Sequence, residues 1–245
     1  MSRRIMLTVA YDGTNYSGWQ YQPGKDTIEG VLNAELSRLL AEDIKVIGAS
    51  RTDAGVHAEG AIAVFDTSSR IPGEKFSYAL NQSLPEDIVI RKSEEVASDF
   101  HPRRVDCSKT YRYSICNDTF PMPTNSRYTY WVYTNLDTTA MQQAAEYFVG
   151  EHDFAAFCSA AADVSSTVRT IYEMKVESAA HRIDIYVTGS GFLYNMVRII
   201  AGTLIEVGEG KIAPDDIPAI ISSCDRSKAG KTAPAKGLTL IGYNQ

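Results

Sequence analysis

Apolar and polar positions alternate almost from the first residue. Ile5, Leu7, Val9 and Tyr11 alternate with Arg4, Met6, Thr8 and Ala10, which predicts a strand with one buried face. Gly13 and Gly18 break the pattern. Over 27–41 the period changes: Ile28, Val31, Leu32, Leu36, Leu39 and Leu40 fall on one stripe of a helix. Asp26 with Glu29 forms a capping-box pattern at its start. Residues 45–48 and 61–67 read as strands, 74–84 as a helix after Pro72, and 88–91 as the start of another strand. The order is β-α-β-β-α-β.

The rest of the chain repeats that order, though not its residues. Residues 109–116 predict a strand with Tyr111, Tyr113 and Ile115 on one face. Pro121 and Pro123 mark a loop, and 128–133 an extra strand. Residues 138–149 predict a helix with Ala140, Met141, Ala144, Ala145 and Phe148 on its stripe. A strand pair follows at 171–177 and 182–188, then helices at 192–207 and 214–223, and a closing strand at 237–243. Two β-α-β-β-α-β units imply an α+β protein of two ferredoxin-like subdomains, residues 1–104 and 105–245. Their sheets are expected edge to edge, with a central cleft.

With 245 residues, 44% hydrophobic and 22% charged, the chain can bury a core without metals or disulfides. No apolar run approaches the ~18 residues of a membrane span. The segment 5–10 is too short for a secretory signal, and Asp12 follows at once. The cysteines (Cys107, Cys116, Cys158, Cys224) and histidines (His57, His101, His152, His181) are scattered. That spacing argues against a disulfide framework and a zinc site, and fits the reducing cytoplasm. A net charge of −6 argues against nucleic-acid binding in bulk, but local patches decide. Residues 100–113 carry Arg103, Arg104, Lys109 and Arg112 against one acid, Asp106. Residues 226–245 carry Arg226, Lys228, Lys231 and Lys236 against none. Charge alone fits two solvated loops as well as a phosphate track.

The densest chemistry is Arg51-Thr52-Asp53-Ala54-Gly55-Val56-His57-Ala58, a polar turn between two apolar segments. A turn-forming role for Asp53 before Ala-Gly is the simple reading; an active-site carboxylate is the sharper one. Arg198 bears on the choice, because it sits within a helix striped by Leu193, Met196, Val197, Ile200, Leu204 and Val207. An uncompensated buried charge costs about 3–5 kcal/mol, and residues 189–205 hold no acid. Its partner must come from elsewhere in the fold, with Asp53 the attractive candidate; the alternative is an arginine snorkelling at the helix edge. A cation beside Asp53 favours its ionised form.

These blocks together resemble the TruA family of tRNA pseudouridine synthases over nearly the whole chain. The match runs through Tyr11-Asp12-Gly13-Thr14-Asn15-Tyr16-Ser17-Gly18-Trp19-Gln20, the Arg51–Ala58 block, Phe100-His101-Pro102-Arg103 and Tyr111-Arg112-Tyr113. It continues through Gly150-Glu151-His152-Asp153-Phe154 and Gly191-Phe192-Leu193-Tyr194-Asn195-Met196-Val197-Arg198 to Ala233-Pro234-Ala235-Lys236-Gly237-Leu238. Ser50, Ala61-Ile62 and Pro102 depart from the family pattern without removing a catalytic group. Ser50 touches the positioning of the Asp53 loop, where the family has glycine.

The resemblance implies isomerisation of uridine to pseudouridine at positions 38, 39 and 40 of the tRNA anticodon stem-loop, by a homodimer needing no metal or cofactor. It implies Asp53 as nucleophile, Tyr111 as the ring that stacks on the base and a candidate base at C5, and Arg198 as the partner of Asp53. Leu238 is implied in the uracil pocket and Arg51 in flipping the nucleotide out. Arg103, Arg104, Lys109, Lys231 and Lys236 then become phosphate contacts.

His57 reads as a loop-shaping hydrogen-bond partner. His152-Asp153 is a dyad in sequence with no nucleophile attached. Gly189-Ser190-Gly191 before a helix suggests a phosphate site, but Tyr194 stands at the third glycine position of a dinucleotide fingerprint. Two rival functions are a non-catalytic RNA-binding protein, against which the lack of an RNP1 pattern counts, and a metal-independent hydrolase using Asp53. A general base for the latter needs a raised pKa, which a neighbouring arginine opposes.

Overall fold

The computed structural model describes residues 2–103, 107–159 and 165–244. The chain is a mixed α+β protein, as its patterning predicts. It divides into two compact units. One comprises Met1–Asp106 with Leu240–Tyr243, the other Cys107–Thr239 with Asn244–Gln245. No helix among the described residues is long and apolar enough to cross a membrane.

The first unit contains β1 (Arg3–Tyr11), α1 (Ile28–Leu40), β2 (Ile47–Gly48), β3 (His57–Thr67), α2 (Phe76–Leu80) and β4 (Ile88–Val96). β1 pairs antiparallel with β3 on one side and β4 on the other, and β2 pairs with β3. The alternation in β1 works as read: Ile5, Leu7 and Val9 are fully buried. Ile28, Leu32 and Leu36 of α1 and Phe76 and Leu80 of α2 are buried equally completely, and Phe65 meets Phe76 edge to face at 5.3 Å. Each such side chain is worth about 1.5–3 kcal/mol.

The helix ends differ from expectation, each for a local reason. Thr27, not Asp26, caps α1, its hydroxyl accepting from the Gly30 amide. Glu29 accepts instead from the Tyr21 amide at 2.7 Å. α2 is shorter than 74–84. A 3-10 turn, Gly73–Lys75, precedes it, and the Asn81 carboxamide turns to exchange two hydrogen bonds with the Ile90 backbone. β3 begins at His57 rather than 61, because its start is paired to Tyr11 through Ala58.

The second unit contains β5 (Ser108–Asn117), β6 (Tyr130–Val132), α3 (Thr138–Glu146), β7 (Gly150–Asp153), β8 (Val168–Ala179), β9 (Arg182–Gly189), α4 (Met196–Gly208) and α5 (Ile217–Ser223). While its Leu240–Tyr243 count with the first unit, the last strand, β10 (Leu238–Asn244), begins in this one. Its strands run β5-β9-β8-β7, antiparallel throughout, with β6 parallel to β5. β7 was not foreseen, since its half-exposed Gly-Glu-His-Asp sequence shows no apolar alternation. α4 starts at Met196 instead of 192, after Asn195 takes a left-handed backbone (φ 62°). The helix is nearly all buried, as its composition requires. A methyl on Gly202 would lie 1.7 Å from the Lys231 carbonyl oxygen, and one on Gly230 within 2.6 Å of Thr203 Cα. Only glycine permits this backbone-to-backbone approach of α4 and the strap 230–233.

Candidate active site

In the first unit, the segment from Tyr11 to Trp19 is built around the Asp53 turn. Gly13 lies so close that a methyl there would sit 2.0 Å from the Val56 carbonyl oxygen. On Gly18, at φ 92°, it would sit 2.5 Å from that of Thr52. Backbone hydrogen bonds close the clamp: Trp19 N–H donates to Thr52, Gly55 N–H to Tyr16, and Val56 N–H to Asp53. The Tyr11 hydroxyl and Thr52 Oγ1 share a buried hydrogen bond of 2.7 Å. Burial pushes the Tyr11 phenol up, so it stays neutral. Burial and the carboxylate of Asp87, 2.6 Å from its hydroxyl, do the same to Tyr16. Asp53 is thus carried half-buried on a turn fixed on both sides.

Buried His57 accepts from the Gly13 amide at Nδ1, 3.1 Å away. Asp12 Oδ1 lies at the same distance from that nitrogen, but one ring nitrogen cannot both accept from Gly13 and donate to Asp12. Asp12 Oδ1 also accepts twice from Thr14, from its amide and from its hydroxyl. His57 therefore shapes the loop, as the sequence suggests. Ser50 Oγ is buried and finds no hydrogen-bond partner among the described residues. Arg51 is exposed, with a long contact of 3.4 Å to Gln20 Oε1.

The second unit carries Tyr111, Arg198 and Leu238. Tyr111 is buried on β5, paired with Val187 and packed edge to face on Phe192 at 5.2 Å. Arg198 is half-buried in the first turns of α4. Its Nε donates to the Ala233 carbonyl at 2.8 Å and its Nη1 to Asn195 Oδ1 at 2.7 Å. Leu238 is buried at the start of β10, directly after the turn Ala235–Gly237. That turn packs so tightly that a methyl on Gly237 would meet the Tyr113 ring at 2.6 Å. Burial pushes the Tyr113 phenol up, the charge of Arg198 pulling against it, and its hydroxyl donates to the Pro234 carbonyl at 2.9 Å.

Other sequence readings fare unevenly. Arg103 is exposed but ties its Nε to the Gly48 carbonyl at 2.8 Å. Lys231 and Lys236 are exposed and Lys109 half-buried, while Arg104 lies outside the described residues. Arg226 serves its own loop, bonding Ala229 and Thr232. His152 and Asp153 form no dyad: the imidazole meets the Val149 carbonyl and the carboxylate the Ala155 amide. The Gly189–Gly191 segment opens no helix, since α4 starts at Met196 and Ser190 is hydrogen-bonded to Thr170. Among the described residues no cluster of His, Cys, Asp and Glu could hold a metal ion. Asn195 and the Ala233 carbonyl were given no role in the sequence reading. An asparagine immediately before an apolar helical run was the available signal.

A family model for tRNA pseudouridine synthases matches residues 7–103 and 144–244. The chain belongs to this family of isomerases. Among its relatives, three named tRNA pseudouridine synthase A narrow the placement. That of Ruminiclostridium cellulolyticum is 54% identical, covering 98% of each chain. Those of Brevibacillus brevis (51%; 97% of this chain, 98% of the relative) and Acetivibrio thermocellus (50%; 98% of each) follow. Arg51 and Asp53 fall in the first matched span and Arg198 and Leu238 in the second, while Tyr111 lies between the spans.

Proposed function

We propose that the chain converts uridine to pseudouridine at positions 38, 39 and 40 of the tRNA anticodon stem-loop, with Asp53 as the nucleophile. The observation that carries this reading is the glycine-clamped Asp53 turn, which lies inside a family-matched span and presents a half-buried carboxylate on a preorganised backbone.

The chemistry assigns the other groups. The N1–C1′ bond breaks, the uracil turns, and a C5–C1′ bond forms. C5 then loses its proton and N1 regains one, so the change is an isomerisation. Asp53 attacks C1′, or steadies the sugar as the base leaves, and either role needs the ionised carboxylate. Arg198 supplies the opposite charge that keeps it ionised. Tyr111 stacks on the base and takes the C5 proton, and Leu238 walls the uracil pocket. Arg51, exposed beside the nucleophile in sequence, helps hold the nucleotide out of its stem, a step that costs a few kcal/mol. Arg103, Arg104, Lys109, Lys231 and Lys236 contact phosphates. Two ferredoxin-like subdomains, spanning 1–104 and 105–245, are part of this reading. It is supported by the β-α-β-β-α-β order of the first unit and its strand order β4-β1-β3 with β2 beside β3. Four unpaired cysteines suit a cytoplasmic enzyme.

Tritium release from [5-³H]uridine-labelled tRNA in EDTA-treated buffer tests the activity. Stoichiometric release is expected; tight tRNA binding without release would favour the non-catalytic RNA-binding alternative.

The homodimer is proposed with it. The segment 118–133 folds back on itself, Trp131 Nε1 donating to the Asp118 carbonyl. It exposes Phe120 (76%), Met122, Tyr128, Trp131 and Tyr133 (71%). Exposed apolar side chains grouped along one segment support an interaction surface there, and a second copy is its proposed occupant. Sedimentation should show a dimer for the wild type and a monomer for Phe120→Asp/Tyr133→Asp; a dimeric double variant places the interface elsewhere.

A further inference from the structure

Asparagine is among the best helix N-caps, yet at the N-terminus of α4 it does not cap. Asn195 sits at the N-cap position in a left-handed backbone (φ 62°, ψ 6°) with no side-chain capping bond. Its own carbonyl still accepts from the Ile199 amide at 2.9 Å, so the helix begins normally. The carboxamide is used differently. Oδ1 accepts from Arg198 Nη1 at 2.7 Å, and Nδ2 donates to Ser159 Oγ at 2.9 Å. Ser159 is itself tied by its amide to the Tyr194 carbonyl. With both ends engaged, the amide cannot rotate without breaking a bond.

We propose that Asn195 is a positioning residue for Arg198, fixing the guanidinium with a neutral oxygen so that its charge stays available to the carboxylate it serves. A second neutral acceptor, the Ala233 carbonyl, holds Nε. The strap that carries it is locked to α4 by the Ala233 amide bonded to the Arg198 carbonyl at 3.1 Å. Two neutral acceptors on two nitrogens set the plane of the fork, and neither acceptor carries a charge of its own. An acidic residue at 195 would set the same plane but capture the charge. What is given up is the side-chain cap on the helix, as happens where function overrides local propensity. This proposal rests on the reading of Arg198 as the partner of Asp53.

Asn195→Gly and Asn195→Asp separate positioning from mere turn-making, because both residues enter the left-handed region readily. In the full-length enzyme, Asn195→Gly should keep Tm within about 2 °C of the wild type and tRNA affinity by filter binding unchanged. Single-turnover tritium release at saturating tRNA should fall about 10²-fold, the scale of a misplaced catalytic group. Asn195→Asp, which keeps the acceptor but neutralises the charge, should lose as much. Wild-type turnover in either variant overturns the proposal. So does a turnover loss matched by lowered Tm in both, or a loss confined to tRNA affinity. Arg198→Met run alongside separates the two readings: if it is fully active, the role of Arg198 itself falls; if it is impaired while Asn195→Gly is not, only the role of Asn195 falls.

Discussion

Asp53→Asn should lower pseudouridine formation by about 10⁴-fold or more, as removal of a nucleophile does elsewhere, while leaving the fold and tRNA binding intact. The substitution is isosteric. Four of the turn's supports (Trp19 to Thr52, Gly55 to Tyr16, Val56 to the Asp53 backbone, Tyr11 to the Thr52 side chain) do not use the carboxylate. A carboxamide has neither the charge to stabilise a cationic sugar nor the basicity to attack it. Asp53→Glu keeps the charge but moves it by one methylene, and on a turn this rigid the misplacement should cost about 10²-fold. Initial rates of tritium release with wild type and both variants, beside filter-binding affinities, check the pair. Wild-type release from Asp53→Asn would remove Asp53 from the mechanism.

Arg198→Met should lower turnover by about 10²–10³-fold, the scale on which a preorganised electrostatic contact acts. Methionine keeps much of the apolar stem and removes the charge and both hydrogen bonds of the fork. The buried Ala233 carbonyl then loses its donor from the guanidinium, at a cost of about 1–3 kcal/mol in stability. The pH profile separates the electrostatic role from the structural one. A cation beside a carboxylate lowers its pKa, so removing the cation raises it. The nucleophile is then protonated at pH values where the wild type has it ionised, and the acid limb of the turnover profile moves to higher pH. Arg198→Lys, which keeps charge but not the planar fork, should hold the limb near its wild-type position at reduced turnover. An unmoved limb in Arg198→Met would contradict the pairing with Asp53.

Fold and site were unequally legible in the sequence. Period-two alternation located β1, and the apolar stripes located α1, α3 and α4, because burial of one face is written directly into residue order. Three helix ends or caps differ from expectation where a polar side chain sets them, Thr27 rather than Asp26 at α1, Asn81 closing α2 and Asn195 delaying α4, whereas α3 starts at Thr138 as expected. Those side chains answer to backbone groups that no local pattern reveals. The residues alone left Asp53 open between a turn residue and an active-site carboxylate, and Arg198 open between pairing with it and snorkelling; the resemblance decided the reading. Sequence could not show what holds them. Gly13 against Val56 and Gly202 against Lys231 are contacts between segments distant in the chain, visible only once the backbones are seen at closest approach.

The most direct test is to map the product. Purified wild-type enzyme and Asp53→Asn, both EDTA-treated, are incubated with unmodified tRNA bearing uridine at positions 38, 39 and 40. Pseudouridine is then located by carbodiimide modification and primer extension. The account predicts stops at those three positions with the wild type and none with Asp53→Asn. Stops only elsewhere, no stops at all, or the same stops from both proteins would contradict it.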